Sequence, residues 1–93
     1  MAKSIITDDM HTCMICGTTR NIEVHHCVFG VANKKLSDKY GLVVPLCVDC
    51  HRGRKGVHQC RAVDLKIKQL AQKKFEELYD REKWMQLFGR NYL

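Results

Sequence analysis

The sequence predicts a small α+β domain in which two short strands precede a largely helical second half. The chain has 93 residues, the length of one domain, so we expect residues 1–93 to fold as a single unit. Alternating β-branched residues in two short segments of the first half are typical of strands. Apolar residues that recur at steps of three and four in the second half are typical of an amphipathic helix.

The two strands and the segments around them follow from local composition. Residues 21–26 alternate and are β-branched, and residues 42–46 are almost entirely apolar, so each segment predicts a strand. Pro45 indicates that the second strand is an edge strand or ends there. The polar residues 30–41 begin and end with glycine and predict a long connection. Residues 1–12 predict a poorly anchored lead-in.

The predicted helices lie in the second half of the chain. A short helix or turn is expected at about residues 48–52, after which Gly53 and Gly56 interrupt regular structure. At about residues 57–82 one apolar stripe predicts a helix, formed by Val63, Ile67, Leu70, Ala71, Phe75, Leu78 and Tyr79. We expect Gly89 to end the last helix. A final aromatic segment is expected to fold back onto the core and contains Trp84, Met85, Leu87, Phe88, Tyr92 and Leu93.

Cysteine spacing gives the strongest signal in the sequence. Four of the six cysteines form two Cys-x-x-Cys pairs separated by 30 residues. A tight turn in each pair points two thiolates at one ion, so the pairs predict one structural zinc ion per chain. The predicted ligands are Cys13, Cys16, Cys47 and Cys50. Cys27 and Cys60 fall outside the pattern and are expected to be free, buried thiols. Disulfide or redox use of the pairs is the alternative.

Basic residues are concentrated in the second half. The formal net charge is +6; residues 1–50 hold five basic and five acidic side chains, whereas residues 51–93 hold eleven basic and five acidic ones. This asymmetry favours a polyanionic partner, most often nucleic acid, although a solvated helix face has the same composition. The sequence contains no apolar run long enough for a membrane span, and because residues 1–9 lack the apolar stretch of a signal peptide we expect no export signal. With thiolate zinc ligands, we therefore expect a cytoplasmic, reducing location.

Four histidines lie close to the cysteine pairs. His25 and His26 are adjacent at the end of the first predicted strand, His51 follows the last cysteine of the second pair, and His58 comes seven residues later. Such a set predicts a second metal centre with a general base beside it. Because neighbouring strand residues point to opposite faces, the His pair needs a bend to serve one site. A single histidine is more often a surface group or a satisfied buried one.

Together these motifs resemble the HNH endonucleases, in particular the small bacteriophage forms with four zinc-binding cysteines. The resemblance is carried over about residues 13–58 by Cys13-x-x-Cys16, Val24-His25-His26 and Val44-Pro45-Leu46-Cys47-x-x-Cys50-His51. Gly56-Val57-His58 is also similar to the short phage forms, and a weaker resemblance is found at the C-terminus, at residues 88–93.

The resemblance implies a ββα-metal fold, a treble-clef-like arrangement in which a β-hairpin and a helix hold one divalent cation. A basic, amphipathic helical segment at residues 59–93 would follow this core. The resemblance also implies that His26 is the general base, that His25 binds the cation, and that His51 or His58, or both, complete the metal site. A His-rich site of this kind accepts Mn²⁺, Ni²⁺ or Zn²⁺ as well as Mg²⁺.

The sequence departs from the family pattern at two places. Many HNH proteins have Asn about five residues before the second cysteine pair, where this chain has Leu42. The nearest asparagine is Asn33, which, like a backbone carbonyl, is a candidate to orient the base instead. The Pro expected shortly after the His pair is replaced by Phe29-Gly30.

The resemblance implies a metal-dependent DNA endonuclease or nickase acting in the cytoplasm of a bacterial host. Its basic residues would hold the phosphate backbone with little base readout, and the candidates are Arg52, Arg54, Lys55, Arg61, Lys66 and Lys68. A homodimer and a phage or host partner protein are left open. Two other functions also stay open: a non-catalytic treble-clef zinc module that binds DNA or RNA, and a zinc-stapled accessory that binds a protein.

Overall fold

The described part of the molecule is an α+β domain with a short hairpin-like sheet and four helices. The computed structural model describes residues 4–54 and 56–93, and at Val31 it describes the backbone alone. Within these residues the elements are β1 (Ile22–His26), α1 (Val31–Tyr40), β2 (Val43–Cys47), α2 (Val48–Arg52), α3 (Arg61–Leu78) and α4 (Arg81–Phe88). The predicted α+β class is confirmed. No helix in the described ranges is long and apolar enough to cross a membrane.

Strands β1 and β2 pair antiparallel, with His25 opposite Val44 and His26 opposite Val43. Every residue of β2 is buried, whereas β1 is only partly covered. The described sheet has two strands, so Pro45 lies on an edge strand, as predicted. Proline has no backbone N–H to donate, and an edge strand tolerates this loss. The strand continues past Pro45 to Cys47, which carries it directly into the second cysteine pair.

The predicted long connection at residues 30–41 is a helix, and the prediction there was wrong. The glycines at its ends act as helix caps: Gly41 has φ 70° in the left-handed region, and its N–H bonds back to the carbonyl oxygens of Asp38 and Ser37. Ser37 is fully buried, and its hydroxyl donates to the carbonyl of Val28 at 2.7 Å. This bond fixes α1 against the chain that leaves β1, and α1 therefore borders the end of β1.

The lead-in is anchored from Ser4 onward, contrary to the prediction of a loose segment. The buried Ser4 hydroxyl donates to the carbonyl of Val43 at 2.6 Å, and Ile5 N–H donates to the carbonyl of Gly41 at 2.9 Å. Ile5 and Ile6 pack against the core. The segment thus covers the start of β2.

The helical pattern predicted at residues 57–82 is divided into turns and two helices. Residues 56–59 form turns, and α3 begins only at Arg61. The helix ends at Leu78 because Tyr79 leaves helical geometry, and the Asp80 carboxylate caps α4 by accepting the Lys83 N–H at 2.7 Å. Gly89 ends α4 as predicted.

The core lies between α3, α4 and the sheet. Ile67, Ala71 and Phe75 of the predicted stripe are buried, but Leu78 and Tyr79 are exposed because the helix ends there. Trp84 is fully buried and packs on Phe75, with ring centroids 5.4 Å apart. Leu87, Phe88 and Tyr92 also pack on this core, which confirms for these residues that the final segment folds back.

Candidate metal centres

The four cysteines of the two pairs converge on one point. The first pair lies in the turn before β1, and the second spans the end of β2 and the start of α2. In each pair the later residue's N–H points at the earlier sulfur: Cys16 N to Cys13 Sγ and Cys50 N to Cys47 Sγ are both 3.5 Å. These N–H···S contacts make each turn tight and place its two sulfurs side by side.

The sulfur positions fit a tetrahedral metal ion. The four Sγ atoms lie within 4.8 Å of one another, and Cys16 Sγ is 3.6 Å from Cys47 Sγ. Zinc–sulfur bonds of about 2.3 Å in tetrahedral geometry place the sulfurs about 3.8 Å apart. The cluster can therefore hold a metal such as zinc, and the four residues are those predicted from the spacing.

The electrostatics of the four-cysteine cluster favour deprotonation at one sulfur. Burial opposes ionisation of Cys13, but backbone N–H groups led by those of Cys16 and Cys47 outweigh it and lower the pKa of Cys13 to about 6. Burial and the neighbouring sulfurs raise the pKa of Cys50. Thiols this close cannot all ionise unless a cation balances their charge, which is the task of a structural zinc ion.

The two remaining cysteines differ from each other. Cys27 is fully buried, as predicted, and burial with the nearby Asp64 carboxylate raises the pKa of Cys27 to about 12. Cys60 is only partly buried and stands at the N-terminal end of α3, so the expected burial was wrong for this residue.

Three histidines form a second cluster, the His triad of His25, His51 and His58. Their candidate ligand nitrogens lie within 4.8 Å of one another. The ring centroid of His25 lies 5.1 Å from that of His51 and 5.1 Å from that of His58. The ring centroids of His51 and His58 are 4.8 Å apart. Sequence reasoning left open which of His51 and His58 would join His25, and the structure brings both to it.

The His triad could hold a metal ion, as its donor set and one unpartnered atom indicate. His25 is 1% exposed, and its Nε2 has no hydrogen-bond partner among the described residues. An orphaned buried nitrogen is costly unless something binds it. Three imidazole nitrogens suit a transition metal. Burial, followed by the neighbouring His51 and His58, lowers the pKa of His25 to about 3, so its ring is neutral and able to bind a cation.

Local sequence explains how His58 returns to the triad. Gly53 and Gly56 let the chain turn back against α2: a Cβ at Gly56 would lie 2.9 Å from the backbone oxygens of Asp49 and Cys50. The N–H of Val57 then donates to the carbonyl of Cys50 at 2.8 Å. The glycines that interrupt regular structure therefore deliver His58 to the site.

Glu23 orients one member of the His triad, His51, through a hydrogen bond. It lies two residues before His25 on β1, and its Oε1 is 2.8 Å from His51 Nδ1, while Oε2 is 2.6 Å from a terminal nitrogen of Arg52. The hydrogen bond from His51, with a further one from Arg52, lowers the pKa of Glu23. Because an ionised carboxylate only accepts, Nδ1 of His51 carries its hydrogen and Nε2 is left with the lone pair.

His26 stands outside the triad. Its Nε2 lies 2.7 Å from Oδ1 of Asp38 on α1. Both histidines of the adjacent pair nevertheless line one concavity of about 240 Å³, together with Lys34, Phe29 and both other triad members. Asn33, the expected candidate to orient His26, donates instead to the carbonyl of Phe29. The group against His26 is therefore a carboxylate.

The predicted DNA-binding residues are of three kinds. Arg52 is paired with Glu23, and Lys68 is paired with Asp64 at 2.7 Å and only 16% exposed. Three members are exposed and form no ion pair among the described residues: Arg54, Arg61 and Lys66. Lys55 lies outside the described residues.

Sequence reasoning missed Glu23 and Asp38. A signal for Glu23 existed, because strand residues two apart share a face and Glu23 is therefore aligned with His25. Asp38 had no signal of this kind, since its helix was not predicted. Lys34, on the same helix, was missed as a lining residue for the same reason, and Phe29, which precedes the helix, was also missed.

Comparison of the chain with models of protein families, with curated proteins and with solved structures finds no match.

Proposed function

We propose that this protein is a metal-dependent DNA endonuclease or nickase of the HNH type. Its core would be a treble-clef-like ββα-metal unit, in which β1, β2 and α2 carry the chemistry. The four cysteines would hold a structural zinc ion, which requires the reduced thiols of a cytoplasmic compartment. The proposal keeps the roles implied by the sequence resemblance and adds Glu23 and Asp38.

The observation that carries the proposal is the placement of His26 beside the His triad. The triad fits a divalent cation, while the adjacent His26 faces the same concavity and is not one of the clustered nitrogens. A purely structural metal site needs ligands, but it does not need a further imidazole that is not a ligand beside them. Ligands and a separate base at one concavity are what phosphodiester hydrolysis requires.

The proton chemistry follows from the Asp38 contact. An ionised Asp38 carboxylate accepts from His26 Nε2, so the neutral ring has its lone pair on Nδ1. Nδ1 then takes a proton from a water molecule as that water attacks the scissile phosphorus. Asp38 keeps the ring in the required tautomer and stabilises the imidazolium that forms.

The triad supplies the second requirement. A divalent cation bound by His25, His51 and His58 would offset the negative charge that develops on the phosphate and on the leaving oxygen. The Glu23 carboxylate holds His51 in the orientation that presents Nε2. Burial keeps His25 neutral, so protons do not compete at this ligand near pH 7.

A plasmid-nicking assay tests the proposal. Wild-type protein purified with zinc is incubated with supercoiled DNA and Mg²⁺, Mn²⁺ or Ni²⁺, in parallel with His26→Ala. We expect the wild type to nick and His26→Ala to be slower by about 10²- to 10⁴-fold. The matched control is His11→Ala, which removes an exposed histidine that belongs to neither cluster and should nick like the wild type.

Two outcomes would overturn the proposal. If wild type and His26→Ala are equally inert with every metal, the protein is better described as a non-catalytic zinc module. If both nick at the same rate, the cleavage does not depend on His26 as a base.

A further inference from the structure

We propose that the concavity between α3 and the C-terminal segment, residues 89–93, binds a phosphate group of the nucleic-acid backbone. This concavity, the α3 pocket, has a volume of about 380 Å³. It is lined by Arg61, Ala62, Asp64, Leu65, Lys68, Arg90 and Tyr92. The proposal rests on the proposed function, because it locates part of the DNA substrate, and it adds Arg90 to the contacts.

Two unpaired guanidinium groups give the α3 pocket its charge. Arg61 and Arg90 are both exposed, and neither forms an ion pair within residues 4–54 and 56–93. The charge of Lys68 is matched by Asp64, whose Oδ2 lies 2.7 Å from its Nζ. Two positive charges are therefore left for a ligand. Guanidinium groups bind phosphate oxygens in a bidentate manner, so a phosphodiester is the chemistry that this pocket fits.

A network of hydrogen bonds holds Arg90 over α3. The carbonyl of Arg90 accepts from Trp84 Nε1 at 2.8 Å. Gln72 is fully buried, and its amide donates to Asn91 Oδ1 and accepts from Tyr92 N–H, each at 2.8 Å. Gln69 donates to the carbonyl of Tyr92 at 2.9 Å. Because a buried amide is costly unless satisfied, this network fixes the C-terminal segment and sets the place from which the Arg90 side chain extends.

Side-chain contacts link the α3 pocket to the His triad. The Phe29 ring lies 5.1 Å from that of His58. Lys68 Nζ lies 4.6 Å from the centroid of the Phe29 ring and 5.4 Å from that of Tyr92, which lines the pocket. Arg90 is also stacked near Tyr92, at 5.4 Å. A strand with its scissile phosphate at the triad could therefore place a phosphate a few nucleotides away against Arg61 and Arg90.

DNA binding without cleavage tests the α3 pocket. The dissociation constant for a fluorescent duplex oligonucleotide is measured by anisotropy in the His26→Ala background, without added divalent cation and over a range of salt concentrations. Arg61→Gln and Arg90→Gln should each raise Kd about 5- to 10-fold and reduce the slope of log K against log salt by about one. The control is Arg20→Gln, an exposed arginine outside the pocket lining, for which Kd should change less than about 2-fold and the slope should not change.

Two further arms make the result decisive. Arg90→Lys keeps the charge without the guanidinium and should give a Kd between wild type and Arg90→Gln. Since the Arg90 contact to Trp84 is made by the backbone, these variants should keep the wild-type melting curve. Chemical-shift titration with inorganic phosphate alone tests for a small-anion site: a response lost in Arg90→Gln, with unchanged DNA affinity, would overturn the nucleic-acid assignment.

The binding experiment can fail or succeed independently of the nicking assay that tests the proposed function. Equal Kd and salt slope for Arg90→Gln, Arg61→Gln and Arg20→Gln would overturn the pocket even if the wild type nicks DNA. Loss of affinity confined to the two pocket variants would support the pocket even if no metal elicits nicking.

Discussion

Nε2 of His26 and Oδ1 of Asp38 lie 2.7 Å apart, and they join the end of β1 to helix α1. The His26 side chain is 17% exposed and that of Asp38 52%, so the pair sits at the edge of the concavity and not in the core. This contact gives the proposed base a defined tautomer, and it gives α1 a role in the site.

Removing the Asp38 carboxylate should slow cleavage without weakening DNA binding. Asp38→Ala is expected to lower the single-turnover nicking rate about 10- to 100-fold, because His26 loses both its orientation and the charge that stabilises its protonated form. Asp38→Asn should be similarly slow, since an amide can bond to the ring but carries no charge. Asp8→Ala removes an exposed carboxylate of the lead-in and is the control. An unchanged rate for Asp38→Ala, with an unchanged His26 tautomer in ¹⁵N NMR spectra, would contradict this role.

Glu23 should determine how tightly the His triad binds a cation. Glu23→Gln leaves the side-chain shape but weakens the acceptor for His51 Nδ1, and we expect the dissociation constant for Mn²⁺ or Ni²⁺ to rise about 10- to 100-fold. Isothermal titration of zinc-loaded protein measures it. Glu82→Gln, at an exposed position of α4, should bind the cation as the wild type does. If the two variants have the same affinity, Glu23 does not support the site.

Loss of one zinc ligand should unfold the domain. Cys50→Ser is expected to abolish stoichiometric zinc and to lower the free energy of unfolding by more than about 3 kcal/mol, because metal binding and folding are coupled in small zinc domains. Zinc content and thermal melts report both effects. Cys60→Ser removes a cysteine outside the cluster and should keep both the zinc and the melting temperature. A wild-type melt for Cys50→Ser would mean that the apolar core is sufficient.

Burial of His25 predicts that the free energy of unfolding depends on pH. The prediction applies to protein that carries zinc at the four cysteines and no cation at the His triad. The pKa of His25 falls from its ordinary 6.5 to about 3 on folding, so the unfolded chain takes up a proton below pH 6.5 while the folded chain does not. The free energy of unfolding should therefore decrease as the pH falls from 6.5 toward about 3, by up to about 1.4 kcal/mol per pH unit. Denaturant titrations measure the slope. His25→Asn should reduce the slope and His11→Ala should retain it; equal slopes for all three proteins would show that His25 titrates normally.

The parts of the site that were predictable are those encoded at short range. The spacing of the cysteine pairs alone predicts a four-cysteine cluster that could hold a metal such as zinc, and local alternation predicts the strand that ends in the adjacent histidines His25 and His26. The sequence does not predict helix α1, because a polar segment with glycine at both ends is typical of a turn-rich connection, whereas Gly41 is the left-handed C-cap of the helix. Asp38 lies on that helix, so the hydrogen-bond partner of His26, the proposed base, is not predicted either.

Long-range contacts explain the remaining differences. The α3 pocket depends on Gln72 and Trp84 holding a segment about twenty residues away along the chain from Gln72, and no local pattern specifies such pairing. Pairing of Arg52 with Glu23 likewise joins residues far apart in sequence. Charge counts predicted a basic second half of the chain. They could not show which arginines form ion pairs with carboxylates and which form none among the described residues.

Metal stoichiometry tests the central claim that the protein has a second, His-based metal centre. Zinc-loaded wild type and the double variant His25→Asn/His51→Asn are dialysed against Ni²⁺ or Mn²⁺, and both metals are counted per chain. The account predicts one zinc in each protein and one further divalent ion in the wild type alone. Equal uptake of the further ion by wild type and double variant, or none by either, would contradict it.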